Sequence, residues 1–152
     1  MVERKVTHST FTVERRYPAA IERVFRALSD KDAKSKWFVG PAEWRLEHYE
    51  MDFRVGGRER LVGAVPGQAP HSFDAVYFDI VENRRIIYAY DMHAAEERIS
   101  VSLATIELAP DGAGTKLTFT EQGAFLEGYD DPASRELGTR GLLDQLGQSL
   151  EG

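Results

Sequence analysis

Tyr88 and Tyr90 stand two apart in RIIYAYDM, so an extended backbone puts both phenol rings on one face with Ile86 and Met92. A tyrosine offers an apolar ring with a polar tip, which suits an apolar molecule bearing a hydroxyl or a carbonyl. Trp37, Phe38, Trp44, Phe53, Phe73 and Tyr77 fall in nearby segments and extend the pair into an aromatic set. Each ring alone also suits an ordinary packed core. As a set, with Leu143 from the last helical stretch, they suit the wall of a pocket. Three polar residues are candidate anchors. Arg54 has the fork to pair with a ligand carboxylate, or to hold neighbouring loops. His71 opens the stretch that carries Tyr77. Glu121 sits near the end of the last strand-like stretch, with either a structural role or a place facing the pocket.

Other chemistries find little support. His8, His48, His71 and His93 form neither His-x-x-x-His nor His-Glu-x-x-His, so a metal site is not expected. His71 and Asp79 are eight residues apart, roughly 26 Å along one strand, and cannot work as a pair. No Gly-x-Ser-x-Gly nucleophile elbow occurs. Gly56-Gly57 is followed by Arg-Glu-Arg-Leu-Val, a further strand rather than a helix. That context fits neither a phosphate loop nor a dinucleotide fingerprint. It fits a turn needing positive φ. No cofactor is expected.

The elements that must position these residues follow from periodicity. Phe11 and Val13 alternate with polar residues in a first strand that Pro18 ends. Ile21, Val24, Phe25 and Leu28 then mark one face of a short helix. Ser29 or Asp30 has the chemistry to cap a second, DKDAKSKWF, which Gly40-Pro41 breaks. From Trp44 to Gln122 the chain reads as six strands, with APDGAG the clearest hairpin. Asp131 as N-cap and Pro132 at the first helical position open a long helix with Leu137, Leu142, Leu143, Leu146 and Leu150 as its apolar stripe. The expectation is an α+β fold: a seven-stranded antiparallel sheet with the last helix across its concave face. Val76, Phe78 and Ile80 alternate with Phe73, Ala75 and Tyr77. Both faces of that strand therefore read as apolar, and a homodimer through the outer set is a candidate partner contact.

The 152 residues suit one domain spanning 1–152. Without cysteine there is no disulfide framework and no thiolate metal site. The start of the chain lacks the apolar core of a secretory signal, and no apolar run is long enough to span a membrane. A cytoplasmic location is the expectation. Net charge is −6, with 13 Lys+Arg against 10 Asp+Glu in residues 1–60 and 6 against 15 in residues 61–152. An acidic chain without a dense basic stripe argues against nucleic-acid binding.

Several blocks together carry a family resemblance. DFRVGGRERL resembles the Asp-x-Arg-x-Gly-Gly-Arg hairpin of the family named for the activator of heat-shock-protein-90 ATPase, within the START and birch-pollen-allergen-like (SRPBCC) superfamily. YPAAIERVFRALSD, KSKWFVGP, VENRRIIYAY and GAGTKLTFTEQGAF resemble its other blocks in order. Glu82-Asn83 replaces the usual Pro-Pro, and Leu142 stands where the last helix usually has Trp. The resemblance implies a helix-grip fold with a cavity between sheet and C-terminal helix. It implies three kinds of role: binding of a small hydrophobic or amphipathic molecule, a cofactor-independent cyclase, hydratase or hydrolase on the same scaffold, or a chaperone-associated interaction module. Arg54 and Arg58 match the family hairpin. The first role is the leading expectation.

Overall fold

A computed structural model describes residues 5–39, 45–126 and 131–151. Trp44 lies outside them. The order is β1 (Val6–Tyr17), α1 (Ile21–Ser29), α2 (Lys31–Phe38), β2 (Arg45–Met51), β3 (Arg58–Ala64), β4 (His71–Val81), β5 (Arg85–Ala94), β6 (Glu97–Asp111), β7 (Gly114–Leu126) and α3 (Pro132–Ser149). The strands form one antiparallel sheet in the order β1-β7-β6-β5-β4-β3-β2. It is a meander from β2 to β7, because short turns favour pairing of sequence neighbours. β1 departs from that order and closes on β7, with Val6 opposite Leu126 and Tyr17 opposite Thr115. The result is the α+β helix-grip architecture, with two short helices after the first strand and a long helix at the end.

The helices start where their caps dictate. Asp30 accepts a hydrogen bond from the Ala33 amide at 3.0 Å and starts α2. Asp131 accepts one from the Ser134 amide at 2.8 Å, ahead of Pro132, and starts α3. α1 buries Val24, Phe25 and Leu28 as its period requires. α3 departs from its expected stripe. Leu137 is 72% exposed, whereas Arg135, Thr139, Leu143 and Leu146 are buried. Those four follow the i, i+4, i+8, i+11 spacing of one helix face. The first half of that face is therefore polar, and it needs polar partners in the sheet.

Two junctions fix α3 against β1. The Tyr17 hydroxyl donates to the Leu143 carbonyl at 2.7 Å, and Arg15 pairs with Asp144 at 2.7 Å. The glycine pair is a turn between β2 and β3. Gly56 has φ +83°, while Gly57 has a different need: a Cβ there would stand 2.0 Å from the Asp52 carbonyl oxygen.

β4 carries a bulge at Phe78. Tyr77 faces Tyr88 across the ladder and Asp79 faces Ile87, which leaves Phe78 unpaired and 59% exposed. The extra residue reverses the alternation, so Ile80 opposes the buried Ile86 and packs on the core. Val76 and Phe78 therefore do not share their face with Ile80. Val76 lies beside Ala89, and Ala89 beside Leu103, on the outer face.

Candidate functional site

Between the inner sheet face and helices α2 and α3 lies a cavity of about 410 Å³. Its middle is aromatic. Phe38 stands edge-on to Phe73 with centroids 5.2 Å apart. Phe73 meets Tyr90 at 4.8 Å and Tyr88 at 6.4 Å. Trp37, Phe38, Phe73, Tyr88, Tyr90 and Leu143 all line it, and so do His71 and Glu121. The strand period brings most of them together. Phe73, Tyr88, Tyr90 and Glu121 have the inward parity of β4, β5 and β7.

Three other residues of the expected set lie elsewhere. Tyr77 is 2% exposed and sits behind the wall, with its hydroxyl on the Glu59 carboxylate. Phe53 packs between Phe25 and Tyr77, with centroids at 5.8 and 5.0 Å. Arg54 points to solvent at the turn, its side chain 70% exposed and paired with Asp52 at 2.8 Å.

Two buried polar clusters flank the aromatic middle. On the β5–β7 side, Glu121 is 1% exposed. One of its oxygens accepts from the Tyr90 hydroxyl at 2.7 Å and the other from Ser102 Oγ at 3.0 Å. Arg135 reaches down from α3. Its Nη1 donates to the Tyr90 hydroxyl at 3.0 Å and lies 3.5 Å from Glu121 Oε2, while Nη2 donates to Ser100 Oγ at 2.7 Å. These are the partners that Arg135, on the polar half of the α3 face, requires. Burial raises the Glu121 carboxyl above its ordinary value, against the pull of Tyr90, Arg135 and Ser102. Burial also raises the Tyr90 phenol, reinforced by the Glu121 charge.

On the β2–β4 side, Glu59 accepts from Lys34 Nζ at 2.8 Å and from the hydroxyls of Tyr49, at 2.8 Å, and Tyr77. Lys34 Nζ also lies over the Phe38 ring, 4.4 Å from its centroid. Burial first, then the Glu59 charge and hydrogen bond, pushes the Tyr49 and Tyr77 phenols upward. Lys34 lines the cavity. Each cluster thus ties one helix to the sheet: α2 through Lys34, α3 through Arg135.

Lys34, Glu59 and Arg135 were not expected, yet each carried a positional cue. Glu59 has the parity of the inward Leu61, between two outward arginines. Arg135 stands on the Thr139–Leu143–Leu146 face, and Lys34 one turn before Trp37. Charge alone argues for exposure, and it masked the spacing.

Among the described residues one group could hold a cation: Asp74, Asp91 and His93, whose ligand atoms lie within 4.8 Å of one another. Arg60 pairs with Asp74 at 2.9 Å and Arg98 with Asp91 at 3.0 Å, so both carboxylates already have cations. Also among the described residues, no helix is long and apolar enough to cross a membrane.

A curved sheet gripping a long helix over an apolar cavity defines a helix-grip protein. The family model described as activator of Hsp90 ATPase homolog 1-like protein matches residues 18–151, and the chain belongs to that family. An uncharacterised protein from Rhizobium leguminosarum is 47% identical, with a TM-score of 0.93 over 99% of each chain. A protein from Rhizobium loti is 44% identical, with a TM-score of 0.89 over 96% of this chain and 99% of its own. An AHSA1-like protein from Aeromonas hydrophila, at 22% identity and a TM-score of 0.74 over 94% of this chain and 92% of its own, shares the fold. A comparison with curated proteins returns no match.

Proposed function

We propose that the protein binds a small apolar or amphipathic molecule in the cavity between the sheet and α3. The observation that carries this reading is the cavity itself: about 410 Å³, walled by Trp37, Phe38, Phe73, Tyr88 and Leu143. That volume is in the range of small-molecule sites. Tyrosine hydroxyls and the polar clusters at its flanks supply orientation; the rings supply affinity. Native mass spectrometry of freshly purified protein, followed by denaturation, tests the reading. A released mass of a few hundred daltons is the expected result. A clean apo mass, with no binding of added aromatic probes, would overturn it. The same spectra show whether two copies associate, for which the outer strip at Val76 and Phe78 is the proposed contact.

A second reading, an enzyme of the cyclase, hydratase or hydrolase kind, has one observation in its favour. Glu121 is a buried cavity carboxyl raised above its ordinary value, as an acid–base catalyst near neutral pH requires. Tyr88→Phe separates the two. Turnover lost with binding kept marks an enzyme, and modestly weaker binding with no turnover to lose marks a carrier.

A further inference from the structure

The wall of the cavity has a charge pattern that constrains its occupant. Lys34 is met by Glu59 at 2.8 Å, and Glu121 by Arg135 at 3.5 Å. All four side chains are buried. Each carboxylate is further held by hydroxyls: Glu59 by Tyr49 and Tyr77, Glu121 by Tyr90 and Ser102. Among the described residues, and with both carboxylates ionised, the buried charges are thus matched one for one, and neither ion pair leaves a net charge facing inward.

Two neutral groups on the same wall stand differently. Tyr88, from β5, and Thr139, from α3, both line the cavity. Neither hydroxyl has a hydrogen-bond partner among the described residues, although Thr139 is buried and Tyr88 packs against the core. A buried hydroxyl without a partner forfeits a hydrogen bond that it makes in water. Burial raises the Tyr88 phenol well above its ordinary value, so it keeps its proton and remains a donor.

We infer that the cavity selects an uncharged ligand: an apolar, ring-sized molecule with a carbonyl or ether oxygen that accepts from Tyr88 or Thr139, and neither a carboxylate nor an amine. An anionic headgroup would enter an apolar space whose two cations already hold their carboxylates. It would have to break one pair or remain unpaired. An ammonium meets the mirror-image problem at Glu121, the carboxylate that lines the cavity and that Arg135 already holds. A neutral carbonyl accepts from a hydroxyl that has no partner among the described residues. The exposed polar residues His71, Ser134 and Gln145 stand at the rim, where solvent reaches them.

This inference rests on the cavity being a binding site, and its test separates the two. Three probes of one shape, 2-acetylnaphthalene, 2-naphthoate and 2-naphthylmethylammonium, are titrated calorimetrically into the intact protein near neutral pH. The ketone is expected to bind at least about fivefold more tightly than either ion. Tyr88→Phe, checked for an unchanged melting transition, is expected to weaken ketone binding by about two- to tenfold and so narrow that margin. A smaller preference for the ketone, or a preference for an ion, overturns neutral selection while leaving the pocket in place. Unchanged ketone affinity in both Tyr88→Phe and Thr139→Val overturns the two hydroxyls as the recognition groups. Failure of all three probes to bind counts against the pocket reading itself, and the inference falls with it.

Discussion

Lys34 Nζ and Glu59 Oε1 meet at 2.8 Å with both side chains almost wholly out of water, and this contact joins α2 to β3. The pair sits among rings, with Phe38 under the ammonium and two phenols on the carboxylate. Both charges are largely removed from bulk solvent and depend on each other. Lys34→Met is expected to destabilise the protein by about 3–5 kcal/mol, because it leaves a buried carboxylate without its cation. Lys34→Met with Glu59→Gln should recover part of that loss, since the amide oxygen still accepts from a tyrosine. Urea denaturation of the three proteins measures both effects. A double variant no more stable than the single one would show that the charge is not the cause.

The Glu121 carboxyl gives a pH dependence of definite sign. Burial raises it above its ordinary 4.5, so the native state holds this proton more tightly than the unfolded chain does. Its contribution to stability is complete below about pH 4.5 and is lost as pH rises through the higher native value. The stability advantage of wild type over Glu121→Gln should therefore decline as pH rises from about 4.5 toward neutrality. Denaturation of both proteins across that range measures it. An advantage that grows with pH would mean that the attraction of Arg135 outweighs burial.

The two glycines of the β2–β3 turn should respond unequally to alanine. Gly56→Ala meets open space but must hold φ near +83°, a cost of about 1–2 kcal/mol. Gly57→Ala drives a methyl toward the Asp52 carbonyl oxygen and has to move backbone. It should cost more, about 2–3 kcal/mol, and also disturb the bonds from Gly56 to Tyr77 and from Tyr77 to Gly57, both of which tie the turn to β4. Comparing denaturation midpoints decides the order. Equal losses would place the whole penalty in the turn's handedness.

Tyr17→Phe removes the donor to the Leu143 carbonyl and little else. The expected loss is about 0.5–1.5 kcal/mol. Because this bond holds α3 to β1, hydrogen exchange of the α3 amides should quicken in the variant. Unchanged exchange would show that Arg15–Asp144 and the packing of Leu143 and Leu146 hold the helix without it.

The fold was legible because its determinants are local. Alternation marked the strands, and Asp30 and Asp131 marked helix starts, each through a side chain bonding an amide three residues on. The site was legible where parity sufficed: Tyr88 and Tyr90 share an inward face that period two predicts, whereas Glu121, open between a structural place and the pocket, lines the cavity. It was illegible where one residue changed the count or where charge went inward. The bulge at Phe78 moved Ile80 from the outer face to the core, and no residue type near it announces a bulge. Arg135 and Leu137 exchanged roles, because the helix face is chosen by the partners waiting in the sheet, Ser100, Tyr90 and Glu121, and these are distant in sequence. Phe53 and Tyr77 have pocket chemistry but lie one layer behind the wall, a distinction of depth that periodicity does not carry.

The placement of the two ion pairs has a consequence for how this protein can change. Lys34–Glu59 and Arg135–Glu121 fasten separate helices to opposite sides of the sheet, and the phenols of Tyr49, Tyr77 and Tyr90 are the rings that reach their carboxylates. Framework and upholstery are therefore separate parts. Phe73, Met92 and Leu142, which line the cavity, can be exchanged for other apolar groups, reshaping the interior, without unfastening either helix. On the binding role proposed above, a lineage using this scaffold can acquire a new ligand by re-lining the chamber, at a modest cost in stability, with the same two clasps holding the helices.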